Sequence, residues 1–336
     1  MLIIRPARGS DVDALLDLAE RVGPGMTTLP ANREVLAQRA AVAEASFSGA
    51  RSGAGAAYVL LLEDTATGAV MGSAAVYPEV GTEFGFFSYR LSRLKHRSDL
   101  VAINREIPVL NLVNDFTGCT EVGSLVVAPE ARRGGLGRLL ARSRYLLIAQ
   151  FPELFGEHVF AEMRGWQEED GRSPFWSAVG ERFFDLEFAA ADRLSAVEGS
   201  RFIQDLMPKH PIYLQLLAQE ARDCIGRPHA SSRAAMELLL KEGFRYEGYV
   251  DVFDAGPQVQ ARPAEIATVR DSRLLRLLPG EAQDTDPQAM VATASLARFA
   301  VACGPVRLSP DGVVLGRDPR QGLGAAEGEE VRVCLL

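Results

Sequence analysis

The sequence predicts a protein of the α/β (α+β) class, in which helices flank a mixed central sheet. The first observation is the order of the elements, since strand-like runs and amphipathic helical segments follow one another as β-α-α-β-β-β-α-β-α. The second is the composition, because 47% hydrophobic and 24% charged residues among 336 are typical of a globular chain with a large buried core.

The first part of the chain predicts a strand, two helices and a hairpin. The run LIIRP is strand-like, and the helix that follows it has Ser10 as its N-cap. A second helix spans 30–47 and has its proline in the first turn. The turn DTATG separates two further strands, of which the first ends near Glu63 and the second begins near Ala69.

The middle of the chain predicts the centre of the sheet. Residues 81–118 carry aromatic and basic side chains, and we interpret them as an excursion that ends beside the central sheet. A strand that ends near Val127 follows, and then a long helix over 135–151 and a buried strand over 158–165. The segment 173–184 predicts another helix that begins with a proline.

The remainder of the chain divides at a change of composition. Residues 186–230 are interpreted as mainly helical, and the next helix ends at Gly243 and leads into a strand. After Pro257, short apolar runs alternate with Gly, Pro and Asp. We therefore predict a main domain over 1–257 with helical insertions and a small β-rich C-terminal module over 258–336.

Charge and cysteine content exclude several classes of protein. A net charge of −8 argues against general binding to nucleic acid or to an anionic membrane. We find neither a signal peptide at the N-terminus nor an apolar run of the ~20 residues that a transmembrane helix needs. The cysteines form no CxxC pair, which predicts no metal site and a reducing, cytoplasmic location. They are Cys119, Cys224, Cys303 and Cys334.

A glycine-rich turn, RRGGLG, joins the strand near Val127 to the helix after it. Backbone N–H groups and partial positive charge at a helix N-terminus favour a pyrophosphate, and glycine allows its oxygens to approach the backbone. The pattern is neither GxGxxG nor GxxxxGK[ST], so it indicates neither a dinucleotide fold nor a P-loop. The alternative is an ordinary strand–helix turn. The residues that would contact phosphate are Arg132, Arg133, Gly134, Gly135 and Gly137.

The turn resembles the [QR]xxGx[GA] signature of the GNAT acyltransferases, and IRPARGSDVDALLDL resembles their first strand and helix. The resemblance implies a GNAT-type acyl-CoA N-acyltransferase fold for residues 1–257, with the turn after the fourth strand of the sheet. It also implies that the pantetheine arm of CoA pairs with the backbone of that strand along Leu125, Val126 and Val127.

Six further blocks resemble the arginine N-succinyltransferase family and lie in the family's order within residues 1–275. They are TTLPANREVL, NDFTGCTE, FAEMRG, GRSPFW, LMPKHPIY and EGFRYEGYVDVFDAGP. The resemblance implies transfer of a succinyl group from succinyl-CoA, a co-substrate, to L-arginine in arginine catabolism, with no permanently bound cofactor. In that family a leucine of the fourth strand binds succinyl-CoA and a late histidine is the proton donor, which match Leu125 and His229.

Acyl transfer to an amine requires proton movements, and histidine titrates in the range that they need. Four histidines are available, namely His96, His158, His210 and His229. The family resemblance favours His229, which precedes a helix in a turn that also contains glycine and proline. The next candidates are His210 and then Tyr213.

Charged residues near the predicted core strands are candidates for substrate recognition. A guanidinium group requires carboxylates, and Asp115, Glu121 and Glu162 flank those strands. A succinyl carboxylate requires a cation, for which Arg90 and Arg164 are candidates. The alternative for each of these five residues is an ordinary surface or capping role.

Two other functions stay open at this point. One is a related GNAT acyltransferase that acts on ornithine or another amine, and the other is a non-catalytic partner subunit or acyl-CoA sensor. The intact RRGGLG turn and His229 favour an active enzyme. Assembly also stays open, either as a homo-oligomer or as a hetero-oligomer with a paralogous subunit.

Overall fold

The computed structural model describes residues 1–22, 29–132, 134–191, 194 and 205–336. These residues form two compact units, each of which is built from separate stretches of the chain. The first unit consists of Met1–Glu79, Thr120–Val159 and Arg262–Leu336. The second consists of Val80–Cys119 and Phe160–Ala261.

We number the strands and helices in chain order. The strands are β1 (Leu2–Pro6), β2 (Tyr58–Asp64), β3 (Ala69–Tyr77), β4 (Ser88–Ser98), β5 (Ile103–Val113), β6 (Thr120–Val127), β7 (Val159–Glu162), β8 (Ile212–Tyr213), β9 (Arg245–Asp251), β10 (Pro257–Ala261), β11 (Arg273–Arg276), β12 (Gln288–Thr293), β13 (Val301–Ser309), β14 (Gly312–Leu315) and β15 (Glu330–Leu335). The helices are α1 (Val12–Val22), α2 (Arg33–Phe47), α3 (Leu136–Gln150), α4 (Pro174–Ala178), α5 (Glu181–Phe184), α6 (Gln219–Cys224), α7 (Arg233–Lys241), α8 (Ala267–Asp271) and α9 (Arg317–Leu323).

In the first unit the strands follow the order β11-β15-β12-β13-β1-β2-β3-β6, and β14 pairs with β13. Helices α1 and α2 contribute to an apolar core against β2 and β3, in which Leu18 and Leu36 are buried. Five strands, β11 to β15, lie C-terminal to residue 262. This segment groups with the N-terminal segment because β13 pairs with β1, Ile4 facing Val301. The compact units thus divide the chain differently from the predicted 1–257 and 258–336.

The two N-terminal helices begin later than predicted, and both expected starts are wrong. Ser10 lies within a short 3-10 turn before α1, where the carboxylate of Asp11 accepts the Arg8 amide at 2.8 Å. Pro30 lies outside α2, which has Asn32 as its cap. The Asn32 side chain accepts the backbone amides two and three residues later, at 3.0 and 3.2 Å. An asparagine side chain can accept hydrogen bonds from the free amides of the first helical turn, whereas a proline side chain has no acceptor atom.

The second unit has the strand order β7-β10-β9-β4-β5-β8. The predicted excursion over 81–118 contains a long antiparallel hairpin, in which β4 and β5 pair from Ser88 with Val113 to Ser98 with Ile103. The predicted helix over 173–184 is divided into α4 and α5. Trp176 in α4 is fully buried and donates its indole N–H to the Leu186 carbonyl at 2.8 Å.

Part of the predicted helical region 186–230 lies outside the described residues, namely 192–193 and 195–204. Its described part contains the two-residue strand β8 as well as α6. Among the described helices, none is long and apolar enough to cross a membrane.

Candidate active site

The strand β6 in the first unit contains a bulge beside the predicted acyl-CoA residues. Its register with β3 pairs Val126 with Ser73 but Gly123 with Ala75, so β6 has one residue more than β3 over this stretch. Ser124 has a φ of +52° there, a backbone region that few residues other than glycine adopt. The bulge therefore changes the direction of β6 immediately before Leu125.

The three predicted strand residues lie at and after this bulge. Val126 is buried, whereas Leu125 and Val127 are half-buried. Val127 faces Gly72 of β3, and a Cβ on Gly72 would lie 2.7 Å from the Val126 carbonyl oxygen and 2.9 Å from Leu140 of α3. The glycine thus lets β3 approach both β6 and the helix that follows the glycine turn.

The turn between β6 and α3 has the backbone shape that its glycines permit. Gly134 and Gly135 have φ values of +64° and +77°, and both are exposed. A Cβ on either would meet no atom of the described residues within 4 Å, so there is open space above the backbone in this part of the structure. The Arg132 Nε–H donates to the Val127 carbonyl at 3.1 Å. Arg133, which the sequence also assigns to phosphate binding, lies outside the described residues.

The N-terminus of α3 presents favourable electrostatics to an anion. Its first turn contains no acidic side chain. The first backbone N–H groups of a helix lack intrahelical partners, and together they carry partial positive charge. Gly137 lies in this turn, and a Cβ added to it would lie 3.7 Å from the Val127 side chain. The arrangement is therefore able to hold a phosphate group above the turn.

Glu121 lies on β6, near the bulge, and is a titratable group of unusual pKa. Burial raises the pKa of its carboxyl to about 7, although the positive charge of Arg144 opposes this rise. Arg144 is itself buried on α3 and donates to the Gly123 carbonyl at 3.2 Å. Of the three carboxylates that the sequence proposes for a guanidinium, Glu121 is the one in the first unit.

His229 lies in the second unit, in a turn that is bonded to neighbouring backbone at several points. Gly226 has a φ of +71°, and its amide donates to the Ala255 carbonyl at 2.9 Å. The His229 amide donates to the Arg164 carbonyl at 2.8 Å, and Pro228 forms a β-bridge with Gly165. These contacts fix the backbone of the histidine before the short 3-10 turn and α7 begin.

The His229 ring is half-buried and has defined partners. Its Nδ1 lies 2.7 Å from the Ser231 Oγ and 3.2 Å from the Ser231 amide nitrogen. Burial and, to a smaller extent, the nearby charge of Arg164 lower the pKa of the imidazole below its usual value. The lowered pKa favours the neutral form of the ring. The Arg164 guanidinium donates to the Gln167 Oε1 at 2.6 Å.

The other histidines do not have such surroundings. His96 is exposed on β4, and His210 is exposed before β8. The carbonyl of His158 accepts the Thr120 amide at 3.0 Å, which is a backbone role. Tyr213, the further alternative, is 36% exposed on β8.

The structure brings two of the predicted recognition residues together in the second unit. The Asp115 carboxylate accepts the Tyr249 hydroxyl at 2.7 Å and lies 3.8 Å from the Arg90 guanidinium, which stacks over the Tyr249 ring at 5.0 Å. Glu162 has a separate partner and accepts the Gln258 amide at 2.5 Å. Asp115 and Arg90 therefore partly neutralise each other's charge.

Two aspartates near the histidine turn were not anticipated from the sequence. Asp254 is 6% exposed, and its carboxylate accepts the amides of Gly165 at 2.7 Å and Gly256 at 2.9 Å. Burial and the adjacent Asp251 raise the pKa of Asp254, and burial also raises the pKa of Asp251. The DxxDxG spacing at 251–256 is the only local signal, and it does not distinguish a buried pair from an ordinary turn.

An open glycine turn before a helix N-terminus free of acidic residues, following a strand–helix–helix–hairpin start, agrees with the predicted class of acyltransferase. The family model described as "Arginine N-succinyltransferase beta subunit" matches residues 2–268. The chain belongs to the arginine N-succinyltransferase family.

Individual relatives match over the whole chain. "Arginine N-succinyltransferase subunit beta" of Pseudomonas aeruginosa is 40% identical and covers 100% of this chain and 98% of its own. "Arginine N-succinyltransferase" of Escherichia coli strain 55989 is 38% identical with the same coverage. The solved structure of arginine/ornithine succinyltransferase subunit AI from P. aeruginosa superposes with a TM-score of 0.88 at 32% identity, over 100% of this chain and 98% of that one. The predicted α/β fold class and the predicted family are confirmed.

The aspartate pair generates a prediction about stability and pH. A carboxyl whose pKa is raised in the folded state binds its proton more tightly there, so the free energy of unfolding falls as pH rises above about 4. Asp251→Asn keeps Oδ1 as acceptor for the Phe253 and Asp254 amides and removes one of the two charges. We expect the loss of stability between pH 5 and pH 8 to be about 1 kcal/mol smaller in the variant.

The measurement is urea unfolding of both proteins at the two pH values. Asp284→Asn is the matched control, because it removes one exposed carboxylate far from this pair in sequence. An equal loss of stability in the wild type and in Asp251→Asn would show that the pair does not resist ionisation.

Proposed function

We propose that the chain transfers the succinyl group of succinyl-CoA to the α-amino group of L-arginine, giving N2-succinylarginine and CoA. The observation that carries this proposal is the full-length similarity to proteins named arginine N-succinyltransferase, at 38–40% identity. The open glycine turn and the ordered His229 support catalysis rather than acyl-CoA sensing.

The proposed acyl-CoA site consists of β6, the glycine turn and the start of α3. The backbone of β6 at and after the bulge would pair with the pantetheine arm, and the α3 amides would receive the pyrophosphate. Open space above Gly134 and Gly135 supports this role. The residues proposed to contact acyl-CoA are Leu125, Val126, Val127, Arg132, Arg133, Gly134, Gly135 and Gly137.

The reaction forms one bond and breaks one. The neutral amine nitrogen of the acceptor attacks the thioester carbonyl carbon, the C–N bond forms, and the C–S bond breaks with its electron pair on sulfur. Nitrogen loses a proton and sulfur gains one, so no other reactant is needed. A β6 backbone N–H is suited to stabilise the oxyanion, and we propose that His229 donates a hydrogen bond to the departing sulfur, which takes up the proton that nitrogen loses.

Arg164 is the cation that best suits the succinyl carboxylate. It is half-buried, it donates to the neutral side-chain amide of Gln167, and it forms no ion pair with a carboxylate among the described residues. Its charge also acts on the His229 ring. Arg90 suits this task less well, because Asp115 already lies within 3.8 Å of it. For the guanidinium of the acceptor, Glu121 and Glu162 remain the candidates.

Ornithine is a second candidate acceptor. The observation in its favour is that the solved structure at TM-score 0.88 is described as an arginine/ornithine succinyltransferase subunit. That protein and the P. aeruginosa relative are both named as subunits, which supports an oligomeric assembly for this chain. The assembly would consist either of identical chains or of this chain with a paralogous one.

The first prediction from this function concerns the substrates. The purified chain should release CoA and form a succinylated product from succinyl-CoA and arginine, as measured by thiol release and mass spectrometry. Succinyl-CoA and acetyl-CoA should be crossed with arginine, ornithine and lysine. Preference for acetyl-CoA, or the absence of transfer to any of the three amines, would contradict the proposal.

A second prediction concerns the glycine turn. Gly135→Asp places a carboxylate where a pyrophosphate is proposed, so the Kd for CoA in calorimetry should rise by about tenfold or more, which corresponds to 1.4 kcal/mol. Gly49→Asp is the matched control, because Gly49 also has a positive φ, +78°, and open space around it. Equal CoA affinity of the two variants would place the phosphate elsewhere.

A third prediction concerns His229. The His229→Ala variant should lower kcat by roughly 10²–10⁴-fold, the usual contribution of a general acid or base, while the Kd for CoA changes little. His210→Ala serves as the control and should retain turnover, because His210 is exposed. If His229→Ala turns over at the wild-type rate, His210 and Tyr213 become the candidates.

A further inference from the structure

A residue of its own turn binds the His229 ring, and it does so at one ring nitrogen, Nδ1. His229 is the N-cap of the 3-10 turn Ala230–Ser232, and its side chain accepts the Ser231 amide. The Ser231 hydroxyl lies 2.7 Å from the same ring nitrogen, Nδ1. One residue therefore directs both its backbone and its side chain at a single atom of the imidazole.

The position of the Ser231 amide hydrogen decides the tautomer of the ring. Backbone geometry fixes this hydrogen, which points at Nδ1 across 3.2 Å. A protonated Nδ1 would direct a second hydrogen at it, so Nδ1 must be the acceptor and the proton of the neutral ring must reside on Nε2. The freely rotating Ser231 hydroxyl then donates to the same lone pair.

The surrounding backbone holds this geometry in place. The His229 amide is bonded to the Arg164 carbonyl at 2.8 Å, and the Ser232 amide is bonded to the His229 carbonyl at 3.0 Å. Both peptide groups that flank His229 are thus fixed, and the ring has little freedom to leave Ser231. The pairing is a property of the folded turn and not of an isolated side chain.

A charged group on a neighbouring segment also favours the neutral form of the ring. Arg164, on the segment after β7, lowers the pKa of His229 together with burial. Arg227, within the same turn, stacks over the Trp166 ring at 4.9 Å. Arg233 begins α7 and is exposed. The buried Asp254 lies on the neighbouring loop, where its carboxylate accepts the Gly165 and Gly256 amides, and Arg164 is the charged group that acts on the ring.

We propose that Ser231 is a positioning residue that holds His229 as the neutral Nε2–H tautomer, so that the ring meets the reacting thioester as an N–H donor. This inference rests on the proposed function. With the opposite tautomer, Nε2 would present a lone pair to the negative charge that develops on sulfur or on the carbonyl oxygen. A neutral donor stabilises that charge without itself carrying one.

The sign of the pH dependence follows from this tautomer. If the neutral ring is the active form, kcat falls as pH decreases through the pKa of His229. The Ser231→Ala variant removes one of two donors to Nδ1 and so makes the ring more basic. The acid limb of the kcat profile should therefore move to higher pH in this variant. An imidazolium acting as the acid would instead lose activity as pH rises.

The first measurement is long-range ¹H–¹⁵N NMR of the full chain labelled at its four histidines, with His229→Gln to assign the His229 signals. We expect an unprotonated Nδ1 and a protonated Nε2 in the wild type at neutral pH. An Nδ1–H tautomer would overturn the proposal. This readout does not depend on turnover, so a failure of the proposed function to appear in assays remains distinguishable from it.

The second measurement compares variants by titration and by kinetics. In Ser231→Ala we expect the His229 pKa and the acid limb of kcat to rise together by a few tenths of a unit or more. At pH 7, kcat should fall about 3–10-fold with little change in KM, since the loss is confined to the transition state. Ser231→Thr should restore both, and the neighbouring Ser232→Ala should leave both unchanged. Identical titrations and profiles for Ser231→Ala and the wild type would overturn the role of Ser231.

Discussion

The buried carboxylate of Asp254 holds the backbone on which the histidine turn depends. Its oxygens accept the amides of Gly165 and Gly256, and neither glycine has room for a side chain. A Cβ on Gly165 would lie 2.4 Å from the Asp254 carbonyl oxygen, and one on Gly256 would lie 2.0 Å from another backbone oxygen. The carbonyl of Arg164, the residue directly before Gly165, accepts the His229 amide. The Asp254 carboxylate holds Gly165, and through this backbone it also positions His229.

The first unit depends on a comparable close approach. Gly72 leaves space for β6 and α3 to pack against β3, and a side chain there would meet Val126 and Leu140. The bulge at Ser124 changes the course of β6 within the same few residues. The glycine turn is therefore held at the end of a strand and the start of a helix that are each fixed by packing. Above Gly134 and Gly135 there is open space among the described residues, which suits a backbone that receives a ligand.

Local signals predicted the elements well where a single residue decides them. Pro174 begins α4 as expected, with Ser173 accepting the Trp176 amide at 3.2 Å. The predicted start of α2 was wrong because two residues typical of a helix start lie close together there. Asn32 caps the helix, and the nearby proline lies outside it. The β4–β5 hairpin gave no alternating pattern because its outer part is exposed on both faces, as at Leu94 and Ile103. Periodicity requires one buried face, and this part has none.

The sequence by itself determined the N-terminal order of strand, helices and hairpin, the glycine turn and the family, because these depend on residues that are neighbours along the chain. Only the tertiary structure decided the state of the side chains that matter chemically. The pKa of His229 depends on burial and on Arg164, which is 65 residues earlier in the sequence. The raised pKa of Asp254 likewise requires burial in addition to its neighbour Asp251. Desolvation and charge act through space, and the sequence order of the residues does not specify the distances on which they depend.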